Sequence, residues 1–262
     1  MSLLHNVEFS SWARGHLVCR IEDVPDRFAV TFDDGPNASA TPSILDVLKR
    51  YEAHATFFTL AGNVKRLPGI ARSIAAEGHE LAAHGDSHWP LPLLPPPLLR
   101  REIERSAAAI TTITGIRPAH YRPPFGFMTP GQARYVRGLG YEPVLGDVYP
   151  EDPQRPGIER IVGRVLPRLR AGSILILHDG SPFGDTDRAQ TIAALGIILG
   201  HAARAGLRAV TVAELLGDPA QVIPAEAAIA RGTPDSAREH HALRFARRPD
   251  IEPAEVESRI HE

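Results

Sequence analysis

Cysteine is almost absent from this sequence: Cys19 is the only one in 262 residues. An internal disulfide is therefore excluded, and the usage suits a reducing compartment. Tryptophan occurs only as Trp12 and Trp89, and lysine only as Lys49 and Lys65. Nearly all positive charge is thus arginine, a bias we read as genome composition rather than guanidinium-specific binding. A net charge of −2 and a pI near 6.6 leave no footprint for nucleic acid and no polybasic patch for a membrane. No apolar run approaches the roughly 18 residues that would span a bilayer. The start, Met1-Ser-Leu-Leu-His-Asn-Val-Glu, has no basic region followed by a long apolar stretch, so it does not read as a signal peptide. A cytoplasmic protein is the expectation, unless a leader was removed.

What is present is length enough for one barrel-sized domain. Short apolar runs alternate with longer amphipathic segments over the first 216 residues, the α/β pattern. The runs predict strands at 28–32, 55–60, 80–83, 119–121, 142–146, 173–178 and 207–210. Between them the pattern predicts helices near 41–51, 66–77, 97–113, 130–138, 157–168 and 187–204. Thr41-Pro42 reads as an N-cap followed by proline at the first helical position. Five prolines between Pro90 and Pro97 predict an extended surface loop. Seven strands with regular crossovers favour a closed or nearly closed parallel barrel over an open sheet. Residues 1–26 read as an N-terminal extension and 27–216 as the barrel. After Gly217 the composition shifts to Pro, Ala, Arg and Glu, so 217–262 reads as a tail with short helices near 235–247 and 253–261. It is a candidate surface for a homo-oligomer.

The chemistry-bearing residues fall just past the expected strand ends. Asp33 and Asp34 close the first apolar run, His84 and His88 follow the third strand, and Arg122 follows the fourth. Asp147 and Asp152 follow the fifth, and His178 ends the sixth. Parallel barrels build their active sites on that face. One Asp with two His is a common way to hold a divalent metal with a position left open for water. The second Asp of the pair is then free to act as a base, and the combination points to metal-assisted hydrolysis. Alone, each feature has a bland reading: a solvated turn, a surface histidine pair, a rigid Pro-Pro loop, a strand-end histidine. In register with strand ends, together, they do not.

Thr31-Phe-Asp-Asp-Gly-Pro, His84-Gly-Asp-Ser-His88, Arg122-Pro-Pro-Phe-Gly and Leu175-Ile-Leu-His178 resemble, in order, the motifs of the polysaccharide deacetylases, carbohydrate esterase family four. Asn37, Thr41-Pro-Ser-Ile-Leu-Asp-Val-Leu, Ala55-Thr-Phe-Phe and Glu77-Gly-His-Glu extend the resemblance, which spans about 27 to 216. It implies a distorted (β/α)7-type barrel with parallel strands, in agreement with the strand count. It also implies that Asp34, His84 and His88 bind a metal, usually zinc, with other divalent ions as alternatives. Asp33 would be the general base, Arg122 its orienting partner, and the backbone N–H of Phe125 an oxyanion donor. Leu175 would line the pocket for the acetyl methyl, and His178 would be the general acid.

The chain departs from the pattern in places. Gly85 stands where Ser or Thr is common, and Phe125 replaces a tyrosine. The usual Asp-x-x-Asp-Trp block reads Tyr149-Pro-Glu-Asp152-Pro153, so the carboxylate tuning His178 is Asp152 or Asp147, with Asp152 the better match. The tryptophan of that block is missing, and Trp89, directly after a metal ligand, has two equal readings, stacking on a sugar ring or packing under the proline loop. The expected substrate is an acetylated carbohydrate or related small molecule. Two alternatives remain: an O-acetyl ester or non-sugar amide on the same metal site, and a catalytically silent carbohydrate-binding protein.

Overall fold

The first strand sets the architecture, because Arg27-Phe-Ala-Val-Thr-Phe-Asp33 is buried on both faces, as a central parallel strand must be. We describe the protein from a computed structural model, over residues 15–217. All of these belong to the first of the two units into which the chain divides, Met1–Arg231. The strands are β1 (Arg27–Asp33), β2 (Thr56–Thr59), β3 (Glu80–Ala83), β4 (His120–Tyr121), β5 (Glu142–Pro143), β6 (Ile174–His178) and β7 (Arg208–Val210). They pair in the order β5-β4-β3-β2-β1-β6, with β7 sharing β1's other edge with β2. Every ladder is parallel. Past β5 the chain returns to the far edge, where Val148 bridges Leu175 of β6. The sheet therefore curls into a distorted barrel that isolated bridges complete.

Alternation along each strand divides the apolar side chains into two sets. Phe28, Val30 and Phe32 face the helices, and Phe32 stacks on Phe57 with centroids 5.1 Å apart. Ala29, Phe58, Ala82, Val144, Ile174 and Val210 form a second cluster inside the curl, joined by Val212 and Leu215. Those two belong to α8 (Val212–Leu216), a short helix absent from the expected list.

The helices are α1 (Ala40–Arg50), α2 (Ala61–Arg66), α3 (Pro68–Ala76), α4 (Pro96–Thr114), α5 (Pro130–Gly138), α6 (Ile158–Val165) and α7 (Ala189–Arg204). The helix expected at 66–77 is α3, and the unexpected α2 precedes it, separated at Leu67 because the residue before Pro68 is pushed out of the helical region. Thr41 is not the N-cap. Ser39 holds that position, and Asn37 Oδ1 accepts from the Ser39 and Ala40 N–H groups. The Thr41 hydroxyl instead accepts from Asn37 N and donates to Asp179 Oδ2. The proline run is not wholly extended: Leu91–Leu93 make a 3-10 turn, and Pro96 and Pro97 open α4, where the first turn needs no N–H.

The described part of the expected extension 1–26, from residue 15 on, packs into the barrel. Leu17 and Cys19 are buried, Val18 bridges Val144, and Arg20 bridges Ser173. The expected tail helices, and any oligomer contact through them, lie outside the described residues. Among those residues no helix is long and apolar enough to cross a membrane.

Candidate active site and metal centre

Asp33 ends β1 on the same face as Thr31, so its carboxylate points into the curl. Arg122, one residue past β4, reaches it: Nη1 donates to Asp33 Oδ1 at 2.6 Å and to Thr31 Oγ1 at 2.7 Å. The Thr31 hydroxyl in turn donates to the Leu175 carbonyl, tying this pair to β6. The guanidinium is fully buried and lies 3.9 Å over the Phe58 ring. Burial lowers the Arg122 pKa and Asp33 opposes that effect, so the ion pair sustains the charge inside the barrel.

Asp34 leaves the strand in a left-handed conformation, φ 70°. That rotation aims its carboxylate away from Asp33's partner and toward two histidines. His84 Nε2 lies 3.4 Å and His88 Nε2 3.2 Å from the same oxygen, Asp34 Oδ1. That oxygen is buried without a hydrogen-bond partner, and one ligand atom from each residue falls within 4.8 Å of the others. Burial opposes ionisation of Asp34, but the two imidazoles hold its carboxyl well below the usual range. His84 Nδ1 sits 2.9 Å from the Arg122 carbonyl, which fixes the N–H there and leaves Nε2 with its lone pair. Tetrahedral bonds of 2.0–2.1 Å place ligand atoms about 3.4 Å apart, so the observed spacing fits a zinc-sized ion.

The loop carrying the histidines is held from α4. Glu102 accepts from the N–H groups of Asp86 and Ser87 and from the Ser87 hydroxyl. Gly85 has φ 104°, a conformation that strains any side chain, so glycine suits the place where Ser or Thr is common. His88 and Phe125 are also left-handed, at φ 58° and 59°. Such backbone costs on the order of 1–3 kcal/mol per residue and gathers at functional sites. The Phe125 ring covers His88, centroids 4.6 Å apart, and is otherwise exposed.

On the β6 side, His178 Nδ1 lies 3.0 Å from Asp152 Oδ1, and Asp152 Oδ2 accepts from His178 N and Thr191 Oγ1. Asp147 bonds Ile174 N and Ser173 Oγ instead, so Asp152 is the carboxylate on His178. Burial disfavours charge on the imidazole, but Asp152, with Asp33 and Asp34 further off, outweighs it and lifts His178 to about 9.

One cavity of about 1010 Å³ is lined by Asp33, Asp34, His84, His88, Arg122, Phe125 and His178. Asp152 sits behind His178 and does not line the cavity, and two other expected contributors are not there. Leu175 is fully buried among the helix-facing side chains, because alternation puts Ile176, not Leu175, on the His178 face, and Ile176 lines the cavity. Trp89 is 56% exposed and outside the cavity lining, since the chain turns at left-handed His88. Sequence reasoning also missed Asn63, whose side-chain amide donates to the carbonyls of Asp34 and Ser181 and so joins the β1 and β6 loops. It sits in α2, too short for a periodic signal.

Comparison with known proteins gives the same answer as the geometry. The family model described as polysaccharide deacetylase matches residues 21–144. A peptidoglycan-N-acetylglucosamine deacetylase of Bacillus cereus is 34% identical over 204 residues, covering 77% of this chain and 93% of that one. A chitooligosaccharide deacetylase of a Bradyrhizobium strain is 37% identical over 185 residues, 68% of this chain and 84% of that one. Among solved structures, a peptidoglycan N-acetylglucosamine deacetylase in complex with a naphthalenyl N-oxidanyl-benzamide superposes with a TM-score of 0.73 at 27% identity. It covers 78% of this chain and 95% of that one. With its parallel curled sheet and its ordered acidic and histidine motifs, this chain belongs to the polysaccharide deacetylase family.

Proposed function

We propose that this protein is a zinc-dependent hydrolase that removes acetyl groups from an N-acetylated amino sugar. The observation that carries the reading is the convergence of Asp34, His84 and His88 beside the Asp33–Arg122 pair, in one cavity with His178, which Asp152 holds from behind. One carboxylate and two imidazoles form a donor set that suits zinc. When bound, such an ion lowers the pKa of a coordinated water from 15.7 to roughly 7 and polarises a carbonyl oxygen.

The side chains then divide the proton transfers. Asp33 has one oxygen held by Arg122, and its carboxylate takes the proton of the attacking water. The Phe125 N–H donates to the acetyl oxygen as that oxygen gains charge, a contact of a kind whose loss costs roughly 3–4 kcal/mol of barrier. Ile176 lines the acetyl pocket. His178, with Nδ1 fixed by Asp152, offers its Nε2 proton to the departing amine, a poor leaving group until protonated. Two relatives, named for peptidoglycan-N-acetylglucosamine and for chitooligosaccharide, favour an amino-sugar substrate.

The test is acetate release from N-acetylated chitooligosaccharides by metal-loaded enzyme, with acetylxylan alongside and a chelated control. Chelator-sensitive release from the oligosaccharide is expected. Release from acetylxylan alone would move the assignment to an O-acetyl esterase, and release from neither would favour a silent binding protein.

A further inference from the structure

If His178 protonates the departing amine, the sugar that bears the amine lies on the His178 side of the cavity. That premise rests on the deacetylase reading above. The cavity lining on that side includes Tyr149, Pro153 and Phe183. Pro153 follows Asp152 directly and offers no aromatic face. We propose that Tyr149 and Phe183 form the sugar-recognition wall of this cavity, Tyr149 by donating a hydrogen bond to a sugar hydroxyl and Phe183 by stacking on a pyranose ring.

Tyr149 is half-buried, and its ring tilts against the His178 imidazole with centroids 6.0 Å apart. A phenol hydroxyl in a cavity wall can donate a hydrogen bond to a bound ligand. Among the described residues the Tyr149 hydroxyl has no hydrogen-bond partner, and Tyr149 lines the cavity. Burial, together with the carboxylates of Asp152 and Asp33, pushes its pKa upward, so the hydroxyl stays protonated and remains a donor.

Phe183 is 96% exposed, in a loop that is tied down on both sides of it. Before it, the Arg188 guanidinium donates twice to the Gly180 carbonyl, and Asn63 donates to the Ser181 carbonyl. Its own N–H donates to Ser181 Oγ. After it, Asp185 pairs with Arg66 and Asp187 with Arg155. The chain thus presents a large apolar ring to the cavity without covering it. A loop already ordered in the free protein loses less freedom on binding, which favours a ligand-contact role. Phe183 would take the place of the tryptophan missing at Pro153, from the next loop along the sheet.

The experiment measures KM and kcat of metal-loaded Tyr149→Phe, Phe183→Ala and Phe183→Trp on tetra-N-acetylchitotetraose and on 4-nitrophenyl acetate. Each of the first two is expected to raise KM for the oligosaccharide roughly two- to tenfold, the range of one hydrogen bond or one ring contact. The effect on the aryl ester should be clearly smaller, and Phe183→Trp should recover the wild-type KM. A wild-type oligosaccharide KM in either of the first two variants would overturn that residue's part. A loss of kcat on the oligosaccharide at unchanged KM, with the ester spared, would instead make it a support for His178 and overturn its part in the wall. Equal losses of kcat on both substrates would make it a support for the site as a whole and overturn it equally. Failure of the deacetylase reading shows separately, as a metal-loaded wild type that cleaves the ester but not the oligosaccharide. That result would overturn the wall too, since it would have no sugar to recognise.

Discussion

Asp33 and Asp34 are neighbours with the same side chain, and one backbone rotation gives them different partners. Asp33 stays in strand geometry and meets Arg122; Asp34 turns to φ 70° and meets the two histidines. The difference is testable with Asp33→Asn, which keeps the shape but accepts no proton. It should retain the metal and lose roughly 10²- to 10⁴-fold in kcat; near-normal turnover in a metal-loaded variant would assign the base elsewhere. His178 gives a pH test. Its pKa is raised from 6.5 to about 9, so the protonated acid is present through neutral pH and is lost as pH rises through about 9. Amide cleavage should fall along that alkaline limb. Asp152→Asn removes the raising interaction and leaves burial, so the limb should move to lower pH, and an unmoved limb would detach Asp152 from the acid. These residues were legible in the sequence because short motifs hold them together. Asn63 and Thr191 were not, because their contacts join positions 29 to 118 residues apart.

At the scale of the element, β6 shows how a two-residue period decides function. Its continuous apolar run marks a strand but does not say which face meets the helices. The family resemblance implies Leu175 at the acetyl pocket, whereas the ladder pairing Asp33 with His178 puts Ile176 on the inner face. Leu175→Ala should cost roughly 2–5 kcal/mol in urea unfolding, as a core truncation does. Ile176→Ala should act mainly on kcat/KM for acetylated substrate. If Leu175→Ala changed kcat/KM more than stability, the face assignment would be reversed. All seven strands were visible as apolar runs, including the two-residue β4 and β5. The short helices α2 and α8 were not, since six and five residues complete too few turns to show a period.

At the scale of the whole molecule, the barrel carries charge in its interior as well as at its mouth. Glu80 Oε1 lies 2.5 Å from His120 Nδ1, and Oε2 accepts from Thr56 Oγ1 and Ala213 N, joining β2, β3, β4 and α8. Burial opposes the Glu80 charge, but His120, Thr56 and Ala213 outweigh it and depress the pKa below 4.5. A depressed carboxyl stabilises the fold above its unfolded pKa, and that stability is lost as pH falls through the folded value. Glu80→Ala should therefore cost roughly 3–5 kcal/mol near neutral pH, as breaking a buried pair does. The loss should shrink in acid; a constant deficit down to acid pH would show that Glu80 acts by packing alone. The sequence could mark Glu80 as part of a motif but not this role, which exists only once the sheet has curled. The central claim is that Asp34, His84 and His88 make one metal site that drives hydrolysis. The most direct test is the divalent metal bound per chain in folded wild type, Asp34→Ala and His88→Ala after identical loading. We expect one ion in the wild type and none in either variant, and full retention in both variants would contradict the account.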